Sequence, residues 1–323
     1  MKAVVRETYR SPDGLELKEI DKPVVGDDDV LVRVHAAGVD QGVWHLVTGL
    51  PYLLRGMGFG LRRPKNRVPG LDVAGRVEAV GRNVIRFQPG DEVFGTCSGS
   101  YAEYVCARQD KFAPKPANVT FAQAAAVPSS AFAALQGLRR SAQVQAGQKV
   151  LVIGAGGGVG TFAVQLAKEF GAHVTGVCST KKTDLVRSIG ADEVIDYTRE
   201  DFADGPSRYD LILDAAGGRS LSHLRRALGP RGTLVVVGSE EGGRWAQGVD
   251  RALRAALLSP FVSQKLRMLV STENEGDLQL LGKLIEAGKL TPIVDRTYSL
   301  SEVPKAIEYL RAGHARGKVV ITV

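Results

Sequence analysis

The sequence predicts an α/β protein with two domains, one built on a doubly wound parallel sheet and the other on a small antiparallel β-barrel. Three observations support this prediction. A strand, a glycine-rich turn and an amphipathic helix follow one another over residues 149–170. From there to about residue 272 strands alternate with helices, which is typical of a parallel sheet with right-handed crossovers. The first 120 residues or so instead carry short strands between glycine and proline turns.

The glycine turn predicts a dinucleotide site. The pattern indicates a buried strand at Lys149–Ile153, a turn at Gly154–Gly160, and a helix whose apolar face begins at Val159. Bare backbone lets a pyrophosphate approach, and the N–H groups and dipole of the helix N-terminus face its negative charge. The spacing fits a dinucleotide fingerprint with alanine in the first position, and the candidate ligands are Ala155, Gly157, Gly158, Val159 and Gly160.

The glycine turn fits three rival assignments less well. A P-loop needs Gly-Lys-Ser or Gly-Lys-Thr, whereas Thr161 and Phe162 follow Gly160. A methyltransferase would place an acid at the end of the next strand, where this chain has Cys178 and Ser179. A packing turn without a ligand would not need five glycines in seven positions, because each glycine costs backbone entropy.

The end of the second strand predicts which coenzyme binds. An NAD enzyme keeps an acid about 20 residues after the glycines for the ribose 2′-hydroxyl. The strand His173–Cys178 is followed instead by hydroxyls and ammonium groups, which form strong charge-assisted hydrogen bonds with phosphate. This favours NADPH over NADH, with Ser179, Thr180 and Lys182 as candidate ligands.

The remaining elements of the sheet domain follow in order. A helix is predicted at 182–189, strands at 193–197 and 209–216, an amphipathic helix at 220–228, a turn at 230–232, and strands at 233–238 and 265–270. Ligands of such sheets bind outside the carboxyl ends of the strands, where Gly217, Gly238 and Ser239 fall. Because the strand 265–270 would be an open edge, we expect a homodimer.

The barrel domain and the C-terminal tail are predicted to pack together. Strands are expected at 30–36, 75–80 and 92–95, and the tail adds a helix at 277–287, a strand at 295–298, a helix from Ser301 to Arg311, and a strand at 317–323. The predicted domains are therefore 1–122 with 276–323, and 123–275, with the active site in the cleft between them.

Composition excludes several other classes. The chain has 323 residues, of which 44% are hydrophobic, and no run approaches the ~18 apolar residues of a membrane span. The first residues resemble a strand rather than a signal peptide. Three isolated cysteines (Cys97, Cys106 and Cys178) suit a reducing compartment, so we expect a cytoplasmic protein. The net charge is +7, but the basic run 62–67 is short and lacks interleaved aromatics, so no nucleic-acid partner is expected.

Several spaced motifs give a family resemblance. They lie at Pro69–Gly81, Pro89–Gly95, Gly99–Tyr104, Ala124–Pro128, Gly190–Tyr197 and Gly317–Val320. Over nearly its whole length the chain resembles the medium-chain dehydrogenase/reductase superfamily, specifically its zinc-free quinone oxidoreductase branch. The resemblance implies a Rossmann fold for the sheet domain and a GroES-like fold for the barrel. It also implies that Lys182 meets the 2′-phosphate, Tyr197 flanks the adenine, and Gly238 and Ser239 line the nicotinamide ribose.

The resemblance also implies which residues of this chain stand where zinc-dependent members bind their metal. Zinc-dependent members bind the catalytic metal with a Cys, a Gly-His-Glu and a second Cys, where this chain has Asp40, then Gly70-Leu71-Asp72, then a cysteine-free stretch around Val127. Leucine cannot bind zinc, which needs three nitrogen, sulfur or oxygen ligands from the protein. We therefore expect a metal-free enzyme.

Loss of zinc narrows the chemistry to acceptors that are already electrophilic, namely quinones and α,β-unsaturated carbonyls. Two residues are candidates for catalysis. Asp40 replaces an asparagine that many family members carry, and Tyr52 either donates a proton or forms an aromatic wall of the pocket. The apolar segment from Trp44 to Arg67 is either a lid over a hydrophobic acceptor or a helical hairpin packed as core.

Two other functions remain open at this point. One is an enoyl-thioester reductase, which would need a channel for an acyl carrier. The other is a protein that binds NADPH or associates with RNA without turnover, which the replacement at Asp40 makes conceivable.

Overall fold

We analysed a computed structural model of the chain, which describes residues 1–56, 60–204, 208–238 and 249–323. The chain divides into two compact units. The first contains Met1–Ser130, Glu273–Gly288 and Pro292–Val323, and the second contains Ala131–Thr272 and Lys289–Thr291. Residues 123–130, which the sequence placed in the sheet domain, therefore group with the first unit.

The secondary structure within the described ranges is as follows. The strands are β1 Lys2–Val5, β2 Glu16–Glu19, β3 Asp29–Val39, β4 Asp72–Val80, β5 Glu92–Thr96, β6 Tyr104–Arg108, β7 Phe112–Pro114, β8 Lys149–Ile153, β9 His173–Cys178, β10 Glu193–Asp196, β11 Tyr209–Asp214, β12 Leu228–Val236, β13 Lys265–Met268, β14 Val294–Ser299 and β15 Lys318–Thr322. The helices are α1 Gln41–Thr48, α2 Tyr52–Leu54, α3 Phe121–Ala125, α4 Pro128–Gln136, α5 Gly158–Glu169, α6 Thr183–Ser188, α7 Leu221–Ala227, α8 Val249–Leu258, α9 Glu275–Glu286 and α10 Val303–Arg311.

The first unit is built around a mainly antiparallel sheet in the order β14-β15-β3-β4-β5-β7, with β6 also paired to β3. The last strand, β15, runs antiparallel to β3, with Val319 opposite Val39. The tail therefore completes the sheet that the N-terminal residues begin, as expected from the sequence. Alternating valines of β3 and β4, such as Val32 and Val73, fill the core of this unit.

The second unit contains a sheet in the order β10-β9-β8-β11-β12-β13 in which every neighbouring pair is parallel. Reading the strands along the chain gives the order 3-2-1-4-5-6, which is that of the Rossmann fold. The predicted α/β fold class is confirmed. The central residues of β8 and β11 are buried on both faces, which explains the apolar runs 150–153 and 211–213.

The turn predicted at 230–232 is wrong. Tyr209 of β11 lies opposite Leu228 and Leu211 lies opposite Thr233, so four residues of β12 (229–232) face one of β11. The chain bulges here and then continues in the same strand instead of turning between two elements.

The helix that was predicted from Ser301 begins at Val303. Ser299 accepts the capping hydrogen bond with its side chain, and its backbone N–H donates to Oε2 of Glu302 at 3.2 Å. A short 3-10 turn at Leu300–Glu302 therefore precedes α10, and Pro304 falls in the first turn of the helix, where proline is tolerated.

The segment from Trp44 to Arg67 contains the end of α1 and all of α2. Its leucines Leu53 and Leu61 are 48% and 74% exposed, so part of its apolar surface is not packed as core. Met57 and Phe59, which contributed to the apolar pattern, lie outside the described residues. None of the helices among the residues that the structure describes is long and apolar enough to cross a bilayer.

Candidate functional site

The glycine turn joins β8 to α5 in the second unit. Gly154 leaves the strand with φ +81°, a conformation that favours glycine, and its N–H and that of Ala155 both donate to the carbonyl of Val177 on β9. Gly157 is the N-cap of α5 and offers no side chain to cap it. The first amides of the helix, at Gly158 and Val159, are half-buried and belong to the turn that has no intrahelical acceptors.

Close packing explains the last glycine of the fingerprint. A Cβ added at Gly160 would lie 2.1 Å from the carbonyl oxygen of Gly154 and 2.7 Å from the Cα of Ala155, both backbone atoms. The helix can therefore approach the strand only if residue 160 has no side chain. This contact fixes the position of the N-terminus of α5 beneath any anion that binds there.

Lys182 lies against the same turn. A Cβ added at Gly156 would come within 2.8 Å of both Cβ and Cδ of Lys182, so the aliphatic part of this half-buried side chain packs on the glycine backbone. Ser179 begins the 3-10 turn that carries the lysine, and the Lys182 N–H donates to its carbonyl at 2.8 Å. The structure thus brings the predicted phosphate ligand to the predicted pyrophosphate cradle.

The hydroxyl of Thr180 has partners that the sequence did not predict. It donates to Oδ2 of Asp196 at 2.5 Å and lies 3.0 Å from the hydroxyl of Thr198. The first of these bonds lowers the pKa of Asp196, which therefore stays ionised. β9 itself ends without an acid, but the neighbouring strand β10 places one beside it. The signal was Asp196 in the motif Gly190–Tyr197, which otherwise indicates only the family.

The other strand ends reach the same edge of the sheet. The backbone N–H of Tyr197 donates to the carbonyl of Cys178 at 3.1 Å, and its side chain is 48% exposed. Gly217 has φ +79°, and Gly238 is exposed with open space around its Cα. Ser239 lies outside the described residues. Because all the strands are parallel, these residues share one edge with the glycine turn.

Asp214 is a residue that sequence reasoning missed as part of this edge. Its side chain is completely buried, and Oδ1 accepts from the backbone N–H groups of Ala216 and Gly217 at 3.2 and 3.1 Å. A buried carboxylate thus shapes the turn that carries Gly217. The signal was an acid at the very end of a buried strand.

A second group of polar residues lies in the first unit, around the positions where zinc-dependent enzymes hold their metal. Asp40 caps α1, and its Oδ1 accepts from the N–H of Val43 at 3.2 Å. Its Oδ2 is buried and has no hydrogen-bond partner among the described residues. A Cβ added at Gly42 would lie 2.8 Å from Oδ1, so a side chain there would displace this carboxylate from its present position.

Asp72 and Lys318 form a buried ion pair in this group. Asp72 is 0% exposed and Lys318 only 2%, and Nζ of Lys318 lies 3.6 Å from Oδ2 of Asp72. Oδ1 of Asp72 accepts from the N–H and the hydroxyl of Ser129 at 3.0 and 2.5 Å, and Lys318 donates to the hydroxyl of Ser130 at 3.0 Å. Oδ2 of Asp72 has no hydrogen-bond partner within the described part of the chain.

Burial raises the pKa of Asp72 to about 7, and the negative charge of Asp40 adds to this rise, while Lys318 and Ser129 oppose it. Tyr101 is also completely buried, and its hydroxyl donates to the carbonyl of Gly38 at 3.2 Å. Burial holds the pKa of Tyr101 well above its ordinary value, so the phenol keeps its proton. Sequence reasoning missed the roles of Asp72, Lys318 and Tyr101, although all three stand in motifs that carried the family resemblance.

Tyr52 packs in an aromatic and basic cluster. The guanidinium of Arg55 lies 4.7 Å from the centre of the Tyr52 ring and 4.4 Å from that of Tyr9, so the cation is held between two aromatic faces. Arg55 also donates to the carbonyl of Gly49 at 2.8 Å. These contacts fix the start of α2 and give the Tyr52 ring a packed position.

Metal ligands do not converge in either unit as far as the structure describes them. No group of three or more His, Cys, Asp or Glu residues in the described ranges is placed to hold a metal ion. In the first unit the cation that lies beside Asp72 is the ammonium of Lys318. The absence of a metal from the working enzyme stays a prediction.

Two family profiles match the sequence. Residues 26–117 match a profile described as an alcohol dehydrogenase GroES-like domain, and residues 189–321 match one described as a zinc-binding dehydrogenase. Together they cover parts of both units and agree with the two folds observed.

Comparison with individual proteins gives similarity over almost the whole chain. An NADPH-dependent alkenal/one oxidoreductase of Arabidopsis thaliana chloroplasts is 36% identical over 343 residues, covering 99% of this chain and 79% of that protein. The chloroplastic quinone-oxidoreductase QR1 of Triphysaria versicolor is 31% identical, covering 95% of this chain and 94% of that protein. The solved quinone oxidoreductase of Coxiella burnetii is 29% identical with a TM-score of 0.88, covering 100% of this chain and 99% of that one.

Proposed function

Because the chain belongs to the medium-chain dehydrogenase/reductase superfamily and to its quinone oxidoreductase branch, we propose that it reduces quinones or activated α,β-unsaturated carbonyls with NADPH. The observation that carries the proposal is the glycine cradle at the N-terminus of α5 with Lys182 packed against it. When bound, NADPH supplies a hydride to the acceptor.

The cradle fits the diphosphate of a dinucleotide. Gly157 and Gly160 leave the first amides of α5 bare, and a side chain at either position would occupy the space that an anion needs or displace the helix. Lys182 and Ser179 are proposed to bind the 2′-phosphate, and Tyr197 to cover the adenine. The charge of Asp196 is compensated locally, since two threonine hydroxyls donate to it and Arg199 lies 3.5 Å away.

The choice of coenzyme can be tested at Lys182. Lys182→Glu replaces an ammonium by a carboxylate beside the proposed 2′-phosphate, so we expect NADPH affinity to fall by about 10- to 100-fold while NADH affinity changes little. Both affinities are measured by fluorescence titration. Lys181→Glu, a change of the same charge at an exposed neighbour, is the matched control. Unchanged discrimination in Lys182→Glu would remove this residue from the phosphate site.

The acceptor site is proposed to include Asp40 and Tyr52 of the first unit. A quinone or enone accepts a hydride without a Lewis acid, so the protein must mainly hold the acceptor in place and provide a proton. The Tyr52 ring, which is held in place by Arg55, is proposed to contact a flat acceptor. The carboxyl group of Asp40 is proposed to provide the proton. An aromatic ring offers a flat apolar contact surface, whereas a carboxyl group can give and take a proton.

Steady-state oxidation of NADPH tests the proposed reaction. We expect turnover with 1,2-naphthoquinone and with an alkenal, and much weaker turnover with crotonyl thioester. A preference for the thioester would instead favour an enoyl-thioester reductase. Tight NADPH binding without turnover of any acceptor would favour a non-catalytic binding protein, and RNA binding could then be examined in the same preparation.

We also propose that the protein is a homodimer formed through β13. This strand is the edge of the parallel sheet, and an uncovered edge is prone to pair with another chain. Met268 and Val270 at the edge are 47% and 68% exposed, and Leu253 and Leu257 of α8, which packs beside β13, are 59% and 64% exposed. Exposed apolar side chains beside an open sheet edge support pairing with a second copy of this chain.

The dimer predicts a defined effect of one substitution. We expect the natural chain to sediment as a dimer at micromolar concentration and Met268→Glu to shift it toward monomer, because the new charge would be buried at the edge. Ile85→Glu is the matched control, since Ile85 is 91% exposed on the first unit. A natural chain that sediments only as monomer would contradict the proposal.

We propose a cytoplasmic location. The support for it is that Cys97, Cys106 and Cys178 are all free thiols, which suits a reducing compartment.

A further inference from the structure

The buried charges of the first unit do not balance. Asp72 feels the negative charge of Asp40, and among the residues that the structure describes a single ammonium, that of Lys318, forms an ion pair with Asp72. One oxygen of each carboxyl, Oδ2, is buried without a hydrogen-bond donor in the same described ranges. A buried ionised oxygen without a donor is costly, and the group that most simply removes this cost is a proton on one of the acids.

The surroundings decide which acid holds the proton. Asp40 is half-buried and therefore partly hydrated, whereas Asp72 has no contact with solvent. Asp72 is faced by Lys318 from β15, by Ser129 and Ser130 from α4, and by Asp40 from the start of α1. The buried neighbours Tyr101 and Cys97 stay neutral because burial raises the pKa of each. Hence the positive charge of Lys318 is the largest effect that opposes protonation of Asp72.

We propose that Asp72 stores a proton for the reaction and that Asp40 passes it to the reduced acceptor, so that Asp72 acts as a positioning residue and Asp40 as the proton donor. This inference rests on the proposed function. The position of Gly38 supports it, since a Cβ added there would lie 3.0 Å from Oδ2 of Asp72, and Gly38 is two residues from Asp40 on the same strand end. Asp72 thus packs directly against the backbone of the segment that leads into Asp40.

The chemistry balances for an enone. NADPH, when bound, would give a hydride to the β-carbon of the acceptor, where a C–H bond would form, and the two π electrons of the C=C bond would move to the carbonyl to give an enolate. The O–H bond of Asp72 then breaks as its proton passes to the Asp40 carboxylate, and Asp40 passes this proton to the α-carbon of the enolate, where the new C–H bond forms. A proton from solvent then reaches Asp72 through the half-buried Asp40, so both acids return to their starting states.

The stored proton can be observed without turnover. The infrared carbonyl band of a protonated carboxyl is expected in the natural chain at about pH 6 and lost as pH rises through about 7, and it should be missing in Asp72→Asn. Asp21→Asn, which changes an exposed acid, should retain the band. Lys318→Met should hold the band to higher pH, because the opposing ammonium is gone. A natural chain without this band between about pH 5 and 9 would overturn the proposal.

Kinetics test the use of the proton. General acid catalysis contributes about 10²- to 10⁴-fold, so Asp72→Asn and Asp40→Asn are each expected to lower the ratio of enone to quinone turnover by at least about tenfold. In the natural chain enone turnover should fall above pH ~7, and in Lys318→Met the fall should move to higher pH, with Lys318→Arg restoring the natural profile. An unchanged ratio and unchanged profiles, with both acceptors still reduced, would overturn this inference alone. Failure to reduce either acceptor would instead overturn the proposed function.

Discussion

Gly160→Ala is expected to abolish NADPH binding and to lower the free energy of unfolding by about 3 kcal/mol. The added methyl group would lie 2.1 Å from the carbonyl oxygen of Gly154 and 2.7 Å from the Cα of Ala155. Both are backbone atoms between β8 and α5, so neither can move away by changing a rotamer. The helix N-terminus must shift, and the amides that face the diphosphate shift with it.

Gly157→Ala separates binding from stability. A methyl group there would meet only the Gly154 carbonyl oxygen at 3.3 Å, and the backbone has φ −96°, which alanine adopts readily. We expect nearly natural stability but at least about tenfold weaker NADPH binding, because the methyl group projects into the cradle. Thermal unfolding and fluorescence titration measure the two quantities. If Gly160→Ala bound NADPH normally, the cradle would not be the coenzyme site.

At about pH 9, above the pKa of about 7 of Asp72, Lys318→Met is expected to lower the free energy of unfolding by about 3–5 kcal/mol, because the buried carboxylate of Asp72 loses its counter-charge. The double variant Asp72→Leu with Lys318→Met removes both charges. It should recover more than half of the loss, since an apolar pair of similar volume is often as stable as a buried ion pair. Urea unfolding of the two single variants and the double variant measures this coupling. Additive losses would show that the two groups do not interact.

The same site predicts a pH dependence of stability. In the folded chain the pKa of Asp72 is raised to about 7 from its ordinary value of 3.8. The folded state therefore holds a proton that the unfolded state releases over this range. The stability that Asp72 contributes through this proton is complete below pH ~4 and is lost as pH rises to about 7. The difference in unfolding free energy between the natural chain and Asp72→Asn should change in this direction, and a constant difference would contradict the raised pKa.

Much of the second unit was predictable because its signals are local. β8 and β9 were predicted at their observed bounds, and both are runs of apolar residues ended by turn residues. The glycine turn has its own mark in the sequence, since bare backbone and close packing need glycine at fixed spacing. The parallel order of the strands then placed Tyr197 and Gly217 at the same edge.

The features that the sequence did not predict are those that distant residues decide. Thr180 follows β9 as a phosphate ligand would, but its hydroxyl bonds to Asp196, which reaches it only because β10 lies beside β9. The residues 230–232 have the composition of a turn, yet pairing with β11 keeps them inside one strand. Local composition cannot report either effect.

The polar group of the first unit was the least predictable part. Asp72 and Lys318 stand at the starts of β4 and β15, and no local pattern shows that the two strands bring them together. Asp40 is distinguished in the sequence only because it occupies a place where the family has another residue. Its carboxylate could not be assigned partners before the fold was known.

The two units differ in when they can be finished during synthesis. All strands of the sheet in the second unit lie in the continuous segment from Lys149 to Met268, so this sheet can form as soon as that segment has left the ribosome. In the first unit, the Ala36–Val39 end of β3 must wait for β15, whose residues are translated nearly three hundred positions later. A nascent chain thus carries an unpaired strand edge until β15 is translated, and the lysine beside Asp72 is made nearly 250 residues after that acid.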